Sequence, residues 1–520
     1  MADHGGISRR RVLRAGLSAA GGLIGTAGLI GTAGLVGTGA LAGCAAKAPP
    51  APRVAPADLD VLALASEMVR FDTSHNGEGG VTLPHARMLA AKFAAAGAQT
   101  DIIPTPKPDN AHFIARITGA GRARPLLFLG HSDVVSVERD RWSVDPYAAE
   151  VRDGWLYGRG ALDMKGANAA AASALLRHVG EGARFDRDII FLSDCDEEAG
   201  PSGTRWLAER HWPKIDAGAV ITEGGWILTR ADGTTPMLAT ITVQDKLGTN
   251  LELVARGTAT HSSKPLPDSA IVRMDRAVAR LADYQPPVVI TPLTRPYFEA
   301  VTAACDNPKL ATALRALLST TDQGERNRAG DLVVSLSPYP WLHNALLRHT
   351  VTQVIQQAGY RTNVAPGSAT ATMNLRLVPG GPTVAATLDE MRAVLGGDNQ
   401  LTLGLSARGG LVRGTPDQQL AQLEKRLGEQ PSSTDTDVYR ALERGIKDTY
   451  SGVPVTPGPF EAGTSGGPWR DRGIPVYGIY PYPVDNDTIT RMHGTDERVR
   501  VDALRSASEL MYRVFGTLRI

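Results

Sequence analysis

The strongest constraint on the fold is a repeated local pattern: short, unbroken apolar runs that each end in a histidine or an acid. "PLLFLGHSD" occupies 125–133, "DIIFLSDCDEE" occupies 188–198 and "AVITEGG" occupies 219–225. An apolar run of this length, bounded by polar or turn residues, suits a strand buried on both faces. The stretches between and before them have helical spacing. "ADLDVLALASEMVRFD", "LPHARMLAAKFAAAGA" (stopped by Gly97) and "MKGANAAAASALLRHVG" (closed by Gly180) are expected helices. Strands alternating with helices predict an α/β fold with a parallel or mixed sheet flanked by helices.

Open sheets of this kind bind ligands beyond the carboxyl ends of their strands. His131 and Asp133 end the first run, Glu197 and Glu198 the second, and Glu223 the third. Asp163 sits in the Gly-rich loop "YGRGALDMKG" (157–166), just before a helix. Alone, that acid reads as a helix cap, and the acids of "DCDEEAG" (194–200) read as a solvated turn. Carboxylates and histidine converging on one edge also suit a zinc-type site. Neighbouring acids repel, and a divalent cation offsets that cost.

Composition narrows the partners. With 55 basic and 54 acidic residues the net charge is +1, which gives no footprint for nucleic acid. Three cysteines exclude a dense disulfide framework. One of them, Cys44, closes "LAGC" (41–44) after "SRRRVLR" (8–14) and a glycine-rich apolar run. The pair Arg9–Arg10 resembles a twin-arginine export signal and "LAGC" a bacterial lipobox. The other reading is an uncleaved membrane helix. The export reading expects a signal at 1–43, lipidation at Cys44, a Pro/Ala-rich tether at 44–57 and an enzyme lipid-anchored at the bacterial cell envelope.

In order and spacing, "GHSDVV", "GRGALDMKG", "DEEAG", "TEGG" and "MHGTDERV" (492–499) resemble the M20 family of metallopeptidases. "NALLRHTVTQV" (344–354), "TNVAPGSATATMNLRLVPG" (362–380) and "FEAGTSGG" (460–467) are similar to its carboxypeptidase S-like branch. The resemblance implies a zinc-peptidase-like catalytic domain in two parts, 58–241 and 431–520, with an inserted α+β lid/dimerisation domain at 242–430. It implies two divalent metal ions, zinc first and cobalt or manganese as alternatives. Asp163 would bridge them, with His131 and Glu223 on one and Glu198 and His493 on the other. Asp133 would fix the His131 ring, and Glu197 would be the general base. Asn363 and Arg376 would hold substrate. His261 would polarise the scissile carbonyl, either in its own chain or across the interface of a homodimer; on the residues alone it reads as a loop histidine bonded to Ser262 or Ser263.

The expected reaction is hydrolysis of the last peptide bond of a small peptide, or of the amide of an N-acyl amino acid. A lipid-anchored peptide-binding protein without catalysis is the other class, and Glu197, a base with no use in a binder, argues against it. Two departures from the family pattern stand out: Tyr157 replaces a tryptophan, and "GTSGG" lacks an aspartate. Asp196 has no assigned role beyond a solvated or capping acid. Cys195 is expected as a buried free thiol, not paired with Cys305. His75, His85, His112, His178, His211, His343 and His349 match no metal motif and are expected to be structural or exposed.

Overall fold

A computed structural model of the chain describes residues 54–75, 80–198, 202–406 and 414–520. The expected signal at 1–43, with Arg9, Arg10 and Cys44, lies outside the described residues, as does most of the tether. No helix among the described residues is long and apolar enough to cross a membrane.

Twelve strands carry the architecture. In chain order they are β1 (Gln99–Pro104), β2 (Ala111–Ile117), β3 (Leu126–His131), β4 (Ile189–Asp194), β5 (Ala219–Thr229), β6 (Pro236–Asp245), β7 (Leu247–Arg256), β8 (Thr350–Ala358), β9 (Ser368–Leu377), β10 (Leu401–Leu405), β11 (Val455–Phe460) and β12 (Val476–Val484). Eight of them form one mixed sheet in the order β1-β2-β4-β3-β5-β12-β6-β11. The β4-β3, β3-β5 and β5-β12 pairs are parallel, so the ends of three neighbouring strands open on one edge. Every residue of β3, β4 and β5 is buried, as their unbroken apolar runs require.

Helix Lys165–Gly180 packs on one face of this sheet, against helices Val61–Val69 and Val501–Gly516. Its alanines 169–172 are fully buried, and side chains this small let the helices approach closely. Gly180, expected to close the helix, is its last residue, and the left-handed turn falls at Gly182 (φ 71°).

β5 differs from expectation. The apolar run in the sequence ends at Glu223. Instead the strand runs on to Thr229, with a register irregularity against β12 beside the two glycines. Gly224 has φ 153°, and a Cβ there would meet Thr242 and Gly478, so the irregularity needs glycine. Glu223 therefore sits at a kink within a central strand.

The second sheet is antiparallel, in the order β8-β9-β7-β10. The alternating burial of β9 shows one packed face. Helices Ala270–Asp283, Val384–Leu395 and Pro416–Leu427 cover that face with Met274, Leu281, Leu388, Met391 and Leu423. β8 is an edge strand, with Val354 and Ile355 exposed.

The insertion expected over 242–430 is divided. β6 keeps 236–245 in the main sheet. The helices Arg295–Ala304, Pro308–Ser319 and Pro340–Leu347 return to the main core through Tyr297, Phe298, Val301, Leu314 and Leu346. Between β6 and β7 stands buried Lys246, whose Nζ donates to the carbonyls of Ala345 (2.7 Å) and Arg348 (3.0 Å), at the next crossing between the sheets. Gln244 likewise donates to Glu429 O (3.0 Å) and Arg348 to Gln285 Oε1 (3.1 Å).

Candidate metal centre

His131 ends β3. Its Nδ1 is 2.9 Å from the main-chain oxygen of Asp133 and its Nε2 is 3.1 Å from Asp163 Oδ1. A carbonyl partner makes Nδ1 the donor; against the cost of burial, Asp163 and Glu223 raise the imidazole well above its ordinary value, so without an ion Nε2 donates to Asp163. The expected role of Asp133 changes accordingly. Its carbonyl orients the ring, while its fully buried carboxylate accepts the amides of Glu197 (3.2 Å) and Glu198 (2.9 Å). Asp133 thus fixes the backbone that carries both glutamates.

Asp163 is not a helix cap; the helix begins after Met164, without a side-chain cap bond. Its carboxylate faces two histidines, His131 Nε2 from Oδ1 and His493 Nε2 from Oδ2 at 3.0 Å. His493 Nε2 is also 3.1 Å from Glu198 Oε1, and His131 Nε2 is 3.7 Å from Glu223 Oε2. Two triads result, His131–Asp163–Glu223 and Asp163–Glu198–His493, with ligand atoms in each within 4.8 Å of one another. They share Asp163, one oxygen turned to each. Each triad offers one imidazole and two carboxylates, a donor set that fits zinc with a position left open.

Charge supports the same fit. Asp133, Asp163, Glu197, Glu198 and Glu223 outnumber His131 and His493, and of these His131, Asp133, Asp163 and Glu223 are buried. Burial opposes charge on Asp163, yet hydrogen bonds to His131 and His493 hold its carboxyl well below the ordinary value. Burial pushes Glu223 up to about 7, and pushes Glu197 well above the usual range with help from the charge of Glu223. Against the cost of burial, Asp163 and Glu198 lift His493 to about 11. A protonated imidazole between carboxylates balances charge as a cation would.

Residues given no role in the sequence reading hold this arrangement. Glu497, fully buried, accepts the amides of Gly160 (3.0 Å), Leu162 (2.9 Å) and Asp163 (3.0 Å) on one oxygen. Its other oxygen pairs with Arg159, which also donates to the carbonyls of His493 (3.2 Å) and Gly494 (3.0 Å). One ion pair therefore ties the Asp163 loop to the His493 loop, where His493 has φ 60°. From β12, Tyr482 donates to Leu162 O (2.5 Å) and Tyr480 OH lies 2.8 Å from both Asp163 Oδ1 and Glu223 Oε2. Trp226 stacks on Tyr480, with centroids 4.4 Å apart, and donates to Glu461 (2.6 Å).

Other expectations meet different ends. Asp196 is buried, not solvated; it accepts from Asn110 Nδ2 (3.1 Å) and from the amide of Ser202 (3.2 Å). Cys195 is a buried free thiol and Cys305 is free as well. His112 is buried beside Asp194, with Nδ1 3.1 Å from its Oδ1. Arg376, on β9, donates to Asn374 Oδ1 (2.9 Å); burial holds its guanidinium below the ordinary value, with the charge of Glu197 opposing. His261 lies apart, exposed on a two-stranded ribbon where it pairs with Val364, and its Nδ1 is 2.9 Å from Ser263 Oγ. Asn363 is exposed in the turn just before that ribbon strand, its carbonyl accepting from the Ser262 amide (3.0 Å).

Comparison with known proteins follows this geometry. The family model described as peptidase family M20/M25/M40 matches residues 127–516. Carboxypeptidase S-like 2 of Dictyostelium discoideum is 26% identical over 399 residues, covering 75% of this chain and 71% of that protein. The human N-fatty-acyl-amino acid synthase/hydrolase PM20D1 is 27% identical over 407 residues, covering 75% of this chain and 73% of that protein. Among solved structures, human carnosine dipeptidase 1 superposes with a TM-score of 0.64 at 17% identity, over 88% of this chain and 95% of that one. The M20 family metallo-carboxypeptidase Sso-CP2 from Sulfolobus solfataricus gives 0.61 at 18% identity, over 88% and 98%. With 127–516 matched, a span that holds every residue of both ligand triads from His131 to His493, the chain belongs to peptidase family M20/M25/M40.

Proposed function

We propose that this chain is a two-metal amide hydrolase that releases a C-terminal amino acid from small peptides or cleaves N-acyl amino acids. The observation that carries the reading is the sharing of Asp163 between two ligand triads, with Glu197 beside them. His131, Asp163 and Glu223 would hold one divalent cation, and Asp163, Glu198 and His493 the other, zinc being the expected ion. Bound there, the pair supplies an acidified water and a polarised amide carbonyl.

The chain does the rest. Glu197 takes a proton from the attacking water and returns it to the leaving nitrogen. Asp133 holds Glu197 in place through its amide. Arg376 offers a planar fork for the carboxylate that both substrate types carry. The ribbon with His261 and Asn363 supplies further substrate contacts, His261 to the carbonyl oxygen of a partner subunit's substrate. The exposed edge of β8 supports a homodimer.

Arg9–Arg10 and "LAGC" support export and lipidation at Cys44, placing the mature enzyme outside the cytoplasmic membrane. Carboxypeptidase-like and N-acyl-amino-acid-hydrolysing relatives support both substrate types. The test is a panel of C-terminally varied dipeptides and N-acyl amino acids with zinc, cobalt or manganese, run on the natural protein and on Glu197→Gln. Glu197→Gln is expected to keep its metal and lose roughly 10²–10⁴-fold in turnover. Near-normal turnover in that variant would remove Glu197 as the base.

A further inference from the structure

We propose that Asp194 and Ser465 are positioning residues: their hydrogen bond holds the loop 463–467 against Arg376 and so sets where the substrate's carboxylate binds relative to the metal centre. The inference rests on the reading of Arg376 given above. The loop, "GTSGG", holds three glycines in five residues and has few side chains with which to pack. Hydrogen bonds fix its place instead. Thr464 Oγ1 donates to Asp245 Oδ2 (2.7 Å), Ser465 Oγ donates to Asp194 Oδ2 (2.8 Å), and the Ser465 carbonyl accepts from Thr204 Oγ1 (2.6 Å).

Asp194 is the link that reaches the metal centre. It is the last residue of β4, it pairs with His131 at the end of β3, and it is fully buried. Its carbonyl accepts the Ser132 amide (2.7 Å) and the Ser132 hydroxyl (2.8 Å). Its Oδ1 accepts the Cys195 amide (2.7 Å) and stands 3.1 Å from His112 Nδ1, whose ring stacks on Trp206. Burial opposes charge on Asp194, yet the contact with His112 holds its carboxyl below the ordinary value. Ser465 therefore donates to a fixed, ionised acceptor, and such a bond is stronger than one between neutral groups.

The other end of the loop meets the guanidinium. A side-chain carbon on Gly463 would stand 3.7 Å from Arg376 Nη1, and one on Gly248 3.0 Å from the same atom, so Arg376 lies against the main chain of both. Among the described residues it gives Nε to Asn374 and makes no other hydrogen bond, which leaves its Nη groups for a carboxylate. Releasing Ser465 shifts the wall on which Arg376 rests. It does not disturb the ligand triads, to which Ser465 makes no hydrogen bond among the described residues.

The test uses the full chain loaded with zinc, with the best substrate of the panel above set beside its C-terminal amide. KM is measured for each, or Ki where the amide is not turned over. Ser465→Ala is expected to raise KM for the carboxylate substrate about 10–100-fold, the worth of a hydrogen bond to a charged group, with kcat within about twofold. The value for the amide and the zinc bound per chain should not change. Ser465→Thr, which keeps the hydroxyl, should restore the natural KM. An unchanged KM in Ser465→Ala would overturn the proposal, as would a rise of equal size for the amide, the mark of a merely structural loss. Arg376→Ala separates the two claims: an unchanged KM for the carboxylate substrate in that variant would overturn the role of Arg376 and the proposal with it. A panel without a cleaved substrate would overturn the hydrolase reading itself.

Discussion

Glu497→Gln tests what holds the bridging carboxylate. Glu497 is fully buried and makes three amide contacts and an ion pair with Arg159. Glutamine keeps an oxygen for the amides of Gly160, Leu162 and Asp163, so the loop is not stripped of its acceptor. It sets an NH₂ against Arg159, however, leaving a buried guanidinium with only the carbonyls of His493 and Gly494. Removing one partner of a buried ion pair costs about 3–5 kcal/mol. Weakening each charged hydrogen bond to a neutral one adds up to about 1 kcal/mol apiece, overlapping with the first loss. Against a typical total of about 5–15 kcal/mol, a loss of about 3–5 kcal/mol is large. Urea unfolding of the metal-free protein, followed by tryptophan fluorescence, reads it directly. A change under about 1 kcal/mol would show that the Arg159–Glu497 pair does not hold these loops.

Asp163→Ala is expected to lose both ions by metal analysis, because both triads depend on that carboxylate; two tightly held ions would refute the bridge. His261→Ala is expected to lower turnover with metal content unchanged. Mixed with inactive Glu197→Gln under proven subunit exchange, it should recover partial activity, and no recovery would rule out action across a dimer. Lysine at Arg9 and Arg10 should trap precursor inside the cell, and Cys44→Ala should give an unlipidated product; membrane fractions unchanged by both would refute the export reading.

The ends of β3 and β4 were legible because buried parallel strands leave unbroken apolar runs, and the polar residue that stops each run marks the open edge. The ligand triads follow from that edge plus the loop bearing Asp163. Glu223 was legible as a site residue, but not as a residue inside a strand, since the apolar run stops there and only the neighbouring Gly478 and Thr242 show why glycine continues it. Tyr480 and Tyr482 sit in "VYGIYPYPV", which reads as ordinary aromatic core. Their hydroxyls matter only because β12 lies beside β5, and strand order is not written in local pattern. Glu497 lay within the quoted "MHGTDERV", yet its partners are main-chain amides 334–337 residues away and leave no trace in side-chain chemistry. The helices Arg295–Ala304, Pro308–Ser319 and Pro340–Leu347 join the main core for a related reason: an apolar face announces burial, not the surface it meets.

The position of β12 has a consequence for biosynthesis. This strand lies between β5 and β6, and the loop after it brings His493 to an aspartate 330 residues earlier in the chain. A ribosome adding roughly 5–20 residues per second takes about 15–65 s to cover that distance. Until then the proposed site has His131, Asp163, Glu198 and Glu223 but lacks its last imidazole. The group Asp163–Glu198–His493 is therefore complete only after the last few dozen residues have found their place in the sheet.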